Sequence, residues 1–169
     1  MTTAPAPVRK PAWSLSRSAT WLWVTEGILG TIGAVLAATA FGLFVPDAGG
    51  PLPVLHVVVW VLAAAYAVVA VGVRPFVRYR VHRWEVTGEA VYTLTGWLTR
   101  TWTLVPIARI QTVDVTRGVL QQLFGLASIA VLTASSQGTV RVPDLAADVA
   151  ERVAEDLARR AEQVRDEAT

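Results

Sequence analysis

The stretch RIQTVDVTRGVLQQLFGLASIAVLT, residues 109–133, is the key to the C-terminal half of this chain. Alternation runs through Ile110, Val113 and Val115, the period of a half-buried strand, and stops at Gly118. Leu120, Leu123 and Phe124 then fall at helical spacing for a single turn, and a second apolar run opens at Leu126. The segment therefore reads as two strands joined by a Gln-Gln-Leu-Phe-Gly corner. Gly118 is expected to free the chain from the first strand and Gly125 to release it into the second. Leu123 and Phe124 are expected to fold inward, because large apolar side chains are usually buried. Packing of that kind leaves Gln121 and Gln122 unexplained, and a contact with another protein through the corner is the alternative use for it.

Outward from this segment the period-two signal continues. Residues 79–87 (YRVHRWEVT), 89–95 (EAVYTLT) and 97–105 (WLTRTWTLV) are rich in Val, Tyr, Trp and Thr and are punctuated by Gly88 and Gly96. They predict a three-stranded antiparallel meander. Residues 109–117 and 126–134 add a fourth and a fifth strand, and 139–143 a sixth after the turn at 135–138. From Asp144 the period changes to that of a helix, over about 144–166. Asp144 is placed to cap it and Asp148 lies near its positive end, while Leu145, Val149, Val153, Leu157, Ala161 and Val164 form its apolar stripe. Six or seven strands closed by one amphipathic helix make an open sandwich or partly open barrel.

The N-terminal half is different. The chain has 169 residues, 53% of them hydrophobic, and a mean hydropathy of +0.46. Residues 21–45 carry one charge, Glu26, and residues 54–73 carry none. Runs of roughly 20 apolar residues cross the ~30 Å hydrocarbon core of a bilayer, so two transmembrane helices are predicted, about 20–45 and 54–73. The expected division is an N-terminal segment 1–19, a hairpin 20–73 with its outer loop at 46–53, and a domain 74–169. Cations flank the hairpin on both sides: Arg9, Lys10 and Arg17 before it, Arg74, Arg78, Arg80 and Arg83 after it. The loop holds only Asp47, so both termini are expected in the cytoplasm. Trp13, Trp21 and Trp23 suit an aromatic belt at that interface. A cleaved secretory signal ending at the small residues 38–40 is the competing reading, but the apolar run continues past them to Val45. Gly30, Ala34 and Ala38 on one helix and Ala63, Ala67 and Val71 on the other have the four-residue spacing of close helix packing.

Chemistry is sparse. There is no cysteine, which excludes disulfides and thiolate metal sites. The predicted domain offers His82, Glu85, Glu89 and Asp114 as titratable groups, without a pairing at metal-ligand spacing, and His56 stands alone. No catalytic residue, metal, cofactor or small-molecule substrate is evident, and the basic segment with Trp84, Trp97 and Trp102 lacks a nucleic-acid recognition motif. Glu26, as an ionisable residue within an apolar run, is a candidate for an ion or proton path, or a carboxylate close to the interface. Fourteen arginines to one lysine suggest a GC-rich bacterial gene.

The order of strands and helix resembles a pleckstrin-homology (PH) fold. The text from Pro106 through Arg109, Ile110, Gln111 and Val113, then Leu120, Gln121, Leu123, Phe124, Gly125, Leu126, Ala127 and Thr133, resembles the signature of a bacterial PH-like domain of small membrane proteins. Gly96, Trp97 and Leu98 match its upstream turn, and a two-helix hairpin before the domain is that family's usual arrangement. The resemblance implies a membrane-anchored α+β protein of the bacterial plasma membrane. It carries no activity with it. The resulting expectation is a non-enzymatic scaffold or accessory subunit whose partner is another membrane protein or a second copy, docked at Leu120, Gln121, Gln122, Leu123 and Phe124. The alternatives are contact of Arg74, Arg78, Arg80 and Arg83 with anionic lipid, and a small transporter or channel subunit using Glu26.

Overall fold

A computed structural model describes residues 10–45, 50–133 and 138–167. The first part of the expected outer loop and most of the turn at 135–138 fall outside these. The chain divides into two compact units, one formed by Thr20–Val77 and the other by the segments on either side of it.

Helix α1 spans Ser18–Phe44 and helix α2 Leu52–Ala67. A π-helical segment, Val68–Val73, carries α2 into α3, Arg74–Val81. The helix thus runs from Leu52 through Val81, well past the expected end at residue 73. Pro75 explains the π segment. Its ring lacks an N–H and crowds the carbonyl one turn back, and widening the helix ahead of it relieves both. The N–H of Arg74 accordingly donates to the carbonyl of Val69, five residues back. Both helices are long and apolar enough to cross a membrane.

The hairpin closes through small residues. A Cβ on Gly27 would stand 2.5 Å from the carbonyl oxygen of Ala70, and one on Gly30 2.3 Å from the Tyr66 hydroxyl. Ala38, Ala63 and Ala70 are buried at the same seam. The small-residue spacing in the sequence thus serves contact between the two helices of one chain, and Gly27 is a participant that the spacing did not reveal.

Among the described residues the second unit holds seven strands in two sheets that do not close into a barrel. In the first, β1 (Trp13–Ser14), β2 (Arg83–Val86), β3 (Ala90–Gly96) and β4 (Arg100–Pro106) lie in sequence order. In the second, β5 (Ile110–Thr116), β6 (Leu126–Thr133) and β7 (Thr139–Ala146) do the same. Every pairing is antiparallel. A single 3-10 turn, Ile107–Arg109, carries the chain from β4 to β5. Six strands are those the sequence predicts, and the seventh, β1, comes from the segment ahead of α1. Trp13, expected in an interfacial belt, pairs with Trp84 across the sheet, their rings edge to face at 4.9 Å. Glu85, buried in β2, accepts from the N–H of Ala12 at 2.9 Å and holds this segment in place. The predicted first strand is shorter than expected, because residues 79–81 finish α3.

The core of this unit is Val91 and Val105 from the first sheet, Ile107, and Ile110, Leu126, Ile129, Val131 and Leu145 from the second. Helix α5, Ala147–Glu167, packs on β5, the 3-10 turn and β6. Its buried line is Ala150, Ala154, Leu157 and Ala161, so the expected stripe is rotated, with Val149 and Val153 flanking it and Val164 exposed.

The start of α5 corrects one expectation. Asp144 does not cap the helix but lies in β7 with a positive φ of 55°. The register with β6 shifts between Ala127 opposite Leu145 and Ile129 opposite Val142, so β7 carries a bulge there. Aspartate is among the few residues that tolerate the left-handed region a bulge requires.

Candidate functional site

The corner found in the sequence is the one-turn helix α4, Val119–Leu123. Gln121 organises it. Its Oε1 accepts from the N–H of Gly118 at 3.0 Å, and its Nε2 donates to Ser128 Oγ at 2.7 Å and to Asp144 Oδ1 at 2.6 Å. Because a carboxylate only accepts, the amide nitrogen must be the end that faces Asp144, and the three bonds use the amide's oxygen and both its N–H groups. The N–H of Asp144 returns a bond to Ser128 Oγ at 3.3 Å. Corner, β6 and bulge are therefore tied by one amide, and the carbonyl of Gly125 accepts from the N–H of Ala147, the first residue of α5.

Gly118 and Gly125 are not equivalent. Gly125 has φ +64°, where a Cβ strains the backbone, whereas Gly118 is extended (φ −72°, ψ 165°) and a Cβ there would meet nothing closer than 3.8 Å.

With polar bonds holding the corner, its apolar residues are not all needed inside. Leu120 and Phe124 are half-buried. Leu123 is 76% exposed and Val119 79%, contrary to the expectation that Leu123 folds inward. The two stand one helical turn apart and project a small apolar knob. Val119 escaped the sequence reading, which took the turn after Gly118 from Leu120, Leu123 and Phe124 alone; its spacing of four from Leu123 was the available signal. Gln122 is exposed and donates weakly to the carbonyl of Arg117 at 3.4 Å. Arg117 pairs with Glu151 on α5.

The four arginines after the hairpin are divided between two elements. Arg74, Arg78 and Arg80 lie on α3 and Arg83 on β2; Arg80 is exposed and the other three are half-buried, and Arg83 Nε is buried without a hydrogen-bond partner. Arg80 lines a groove with Lys10, Arg100, Leu94 and the half-exposed Trp102, a set with three cations and no acid that the sequence scattered over 93 positions. Arg78 also positions a histidine, since its carbonyl accepts from the backbone N–H of His82 at 2.8 Å and lies 2.9 Å from the ring Nδ1. His82 is buried, and desolvation first, then the nearby Arg78 guanidinium, hold its pKa below the ordinary histidine value. Glu26 lies on α1 beside Gly27, the residue that touches Ala70. Among the described residues no group of three or more His, Cys, Asp or Glu is placed to hold a metal ion.

Two apolar helices followed by two antiparallel sheets and a C-terminal helix define a membrane protein with a PH-like domain. The model of the family described as "Bacterial PH domain" matches residues 18–161, and the chain belongs to that family. It is similar to UPF0699 transmembrane protein YdbS of Bacillus subtilis (strain 168), with 31% identity over 101 residues. That match spans 60% of this chain and 60% of the relative. No solved structure matches the chain.

Proposed function

We propose that the protein is a non-enzymatic scaffold of the bacterial plasma membrane, in which the two helices anchor a cytoplasmic PH-like domain that docks a second membrane protein or a second copy as an accessory subunit. The observation that carries this reading is the knob of Val119 and Leu123, exposed on a corner that Gln121 already holds by three hydrogen bonds. Apolar side chains on a preorganised element lose little entropy on binding, which suits them to anchor a contact. The side of the membrane is supported by two features. The pairing of Trp13 and Ser14 with β2 keeps the residues before α1 in the same sheet as the residues after α3. The cations on both flanks of the hairpin favour the cytoplasmic side. A non-catalytic role is supported by the polar groups at the corner, since the side chains of Gln121, Ser128 and Asp144 are engaged in hydrogen bonds that tie the corner to β6 and β7.

Recovery of tagged wild type and of Leu123→Glu from native membranes after mild crosslinking tests the reading. A partner, or a second copy, recovered with the wild type and lost with Leu123→Glu at equal protein level supports it. Equal recovery with both removes it.

The groove of Lys10, Arg80 and Arg100 around Trp102 favours a second reading, contact with anionic lipid, at about 1 kcal/mol per cation near such a surface. Iodide quenching in proteoliposomes, taken as the difference between wild type and Trp102→Phe, reports on this groove. Quenching that ignores the anionic lipid content rules the contact out.

A further inference from the structure

The two sheets leave a seam. Strand β4 is the last of one sheet and β7 the last of the other, and an open cleft of about 610 Å³ lies along these edges. One face of the first sheet changes character as it reaches the cleft. Its cross-strand pair Val91 and Val105 is buried core, but the next two pairs on that face are Thr93 with Thr103 and Thr95 with Thr101. All four threonines line the cleft, together with the buried His82 and with Arg141 of β7.

Valine has the shape of threonine and an equal liking for strands, so neither sheet formation nor packing asks for a hydroxyl at four successive places. From Thr93, which is buried, through the half-buried Thr95 and Thr103 to the exposed Thr101, this two-by-two array of hydroxyls runs from the core to the mouth of the cleft and is suited to a ligand that accepts several hydrogen bonds at once. Charge narrows the class. Among the described residues no carboxylate lines the cleft and Arg141 is in no ion pair. A guanidinium offers a planar fork of donors that fits a phosphate group with two parallel bonds.

We propose that the seam between β4 and β7 binds a small phosphate-bearing ligand, whose phosphate is seated by Arg141 and the hydroxyls of Thr93, Thr95, Thr101 and Thr103. The proposal stands apart from the docking role of the corner, because it uses neither Val119 nor Leu123. A soluble phosphate monoester and the headgroup of an anionic lipid present the same chemistry to these residues.

The test is calorimetric titration of the full chain in neutral detergent with three probes: inorganic phosphate, glycerol 3-phosphate and dihexanoyl phosphatidic acid. Saturable binding is expected for at least one of them. Arg141→Gln should weaken it at least tenfold and Thr101→Val about threefold, while Arg152→Gln, which alters an exposed ion pair on α5, leaves it unchanged. Both cleft variants replace exposed residues, and a thermal transition recorded for each separates lost binding from lost folding. Tighter binding of the short-chain lipid than of glycerol 3-phosphate marks a lipid headgroup as the source, and the reverse order marks a soluble ester. Absence of saturable binding to all three probes overturns the proposal. So does undiminished affinity in both cleft variants.

Discussion

Removing the Gln121 amide tests whether the corner is held by polar bonds rather than by apolar packing. In Gln121→Ala the Gly118 N–H loses its acceptor, Ser128 Oγ loses a donor at 2.7 Å, and Asp144 loses one at 2.6 Å. The first of these groups is solvent-exposed, and water replaces the amide there at a cost of a few tenths of a kcal/mol. The second is a neutral, half-buried bond, for which about 1 kcal/mol is typical. The third matters most, because Asp144 is only 6% exposed and a carboxylate deprived of a donor loses about 1.5–3 kcal/mol. The total is roughly 3–4 kcal/mol if the corner stays in place, and somewhat less if Asp144 relaxes towards water. For a domain of this size, near 100 residues, about 4–8 °C of Tm per kcal/mol implies a fall of more than 10 °C. Tryptophan-detected thermal unfolding of the full chain in detergent reads this directly. Gln122→Ala is the matched control, since its side chain is exposed and makes one weak bond, and its Tm should stay within about 3 °C of wild type. A Gln121→Ala transition as high as that of Gln122→Ala would refute the latch and return the burden of the corner to its leucines.

Other variants separate strain, packing, protonation and topology. Gly125→Ala should cost about 1 kcal/mol because of its positive φ, whereas Gly118→Ala should be neutral or slightly stabilising; chemical denaturation of the two variants compares them. In the hairpin, Gly27→Val drives a side chain into the Ala70 carbonyl and should destabilise by roughly 1–3 kcal/mol, while Gly33→Val, with nothing within 4 Å of its Cβ, should leave the thermal transition in detergent unchanged. His82 has a folded pKa below its ordinary value of 6.5, so the unfolded chain takes up the proton first. The stability this residue contributes is complete above pH 6.5 and drains as pH falls through the folded pKa, and His82→Gln should flatten that part of the stability–pH curve. Since the chain has no cysteine, single cysteines at Ala12, Gly50 and Glu151 give a clean topology test in intact cells. A membrane-impermeant maleimide should label position 50 directly and positions 12 and 151 only after permeabilisation; labels at 12 and 151 from opposite sides would contradict the shared sheet.

Much of the fold is legible in the sequence because it rests on signals longer than any one residue. Two long apolar runs, six strand-like segments and a final helical stripe are each long enough to show their character in the sequence. What escaped was short or depended on a partner. A two-residue strand such as Trp13–Ser14 shows no period at all, and an isolated tryptophan near a membrane helix reads equally well as an interfacial anchor. The alternating look of residues 79–81 could not announce that α3 continues, since that depends on the helix absorbing Pro75 through a π turn. Asp144 has the position of a helix cap in one dimension and occupies a bulge in three. The direction of Leu123 was set by Gln121, whose partners lie 7 and 23 residues away. The hydroxyl array of the cleft became visible only once the register placed Thr93 beside Thr103 and Thr95 beside Thr101.

The proposed scaffold role stands or falls on whether the corner presents its apolar knob to another protein. A photo-crosslinking amino acid placed at position 123 of the full chain, in native membranes, probes that contact, with position 152 on the solvated face of α5 as the reference. A discrete adduct is expected from position 123, absent from 152 and lost when Val119 is changed to Glu. Equal, diffuse labelling from both positions would contradict the docking role.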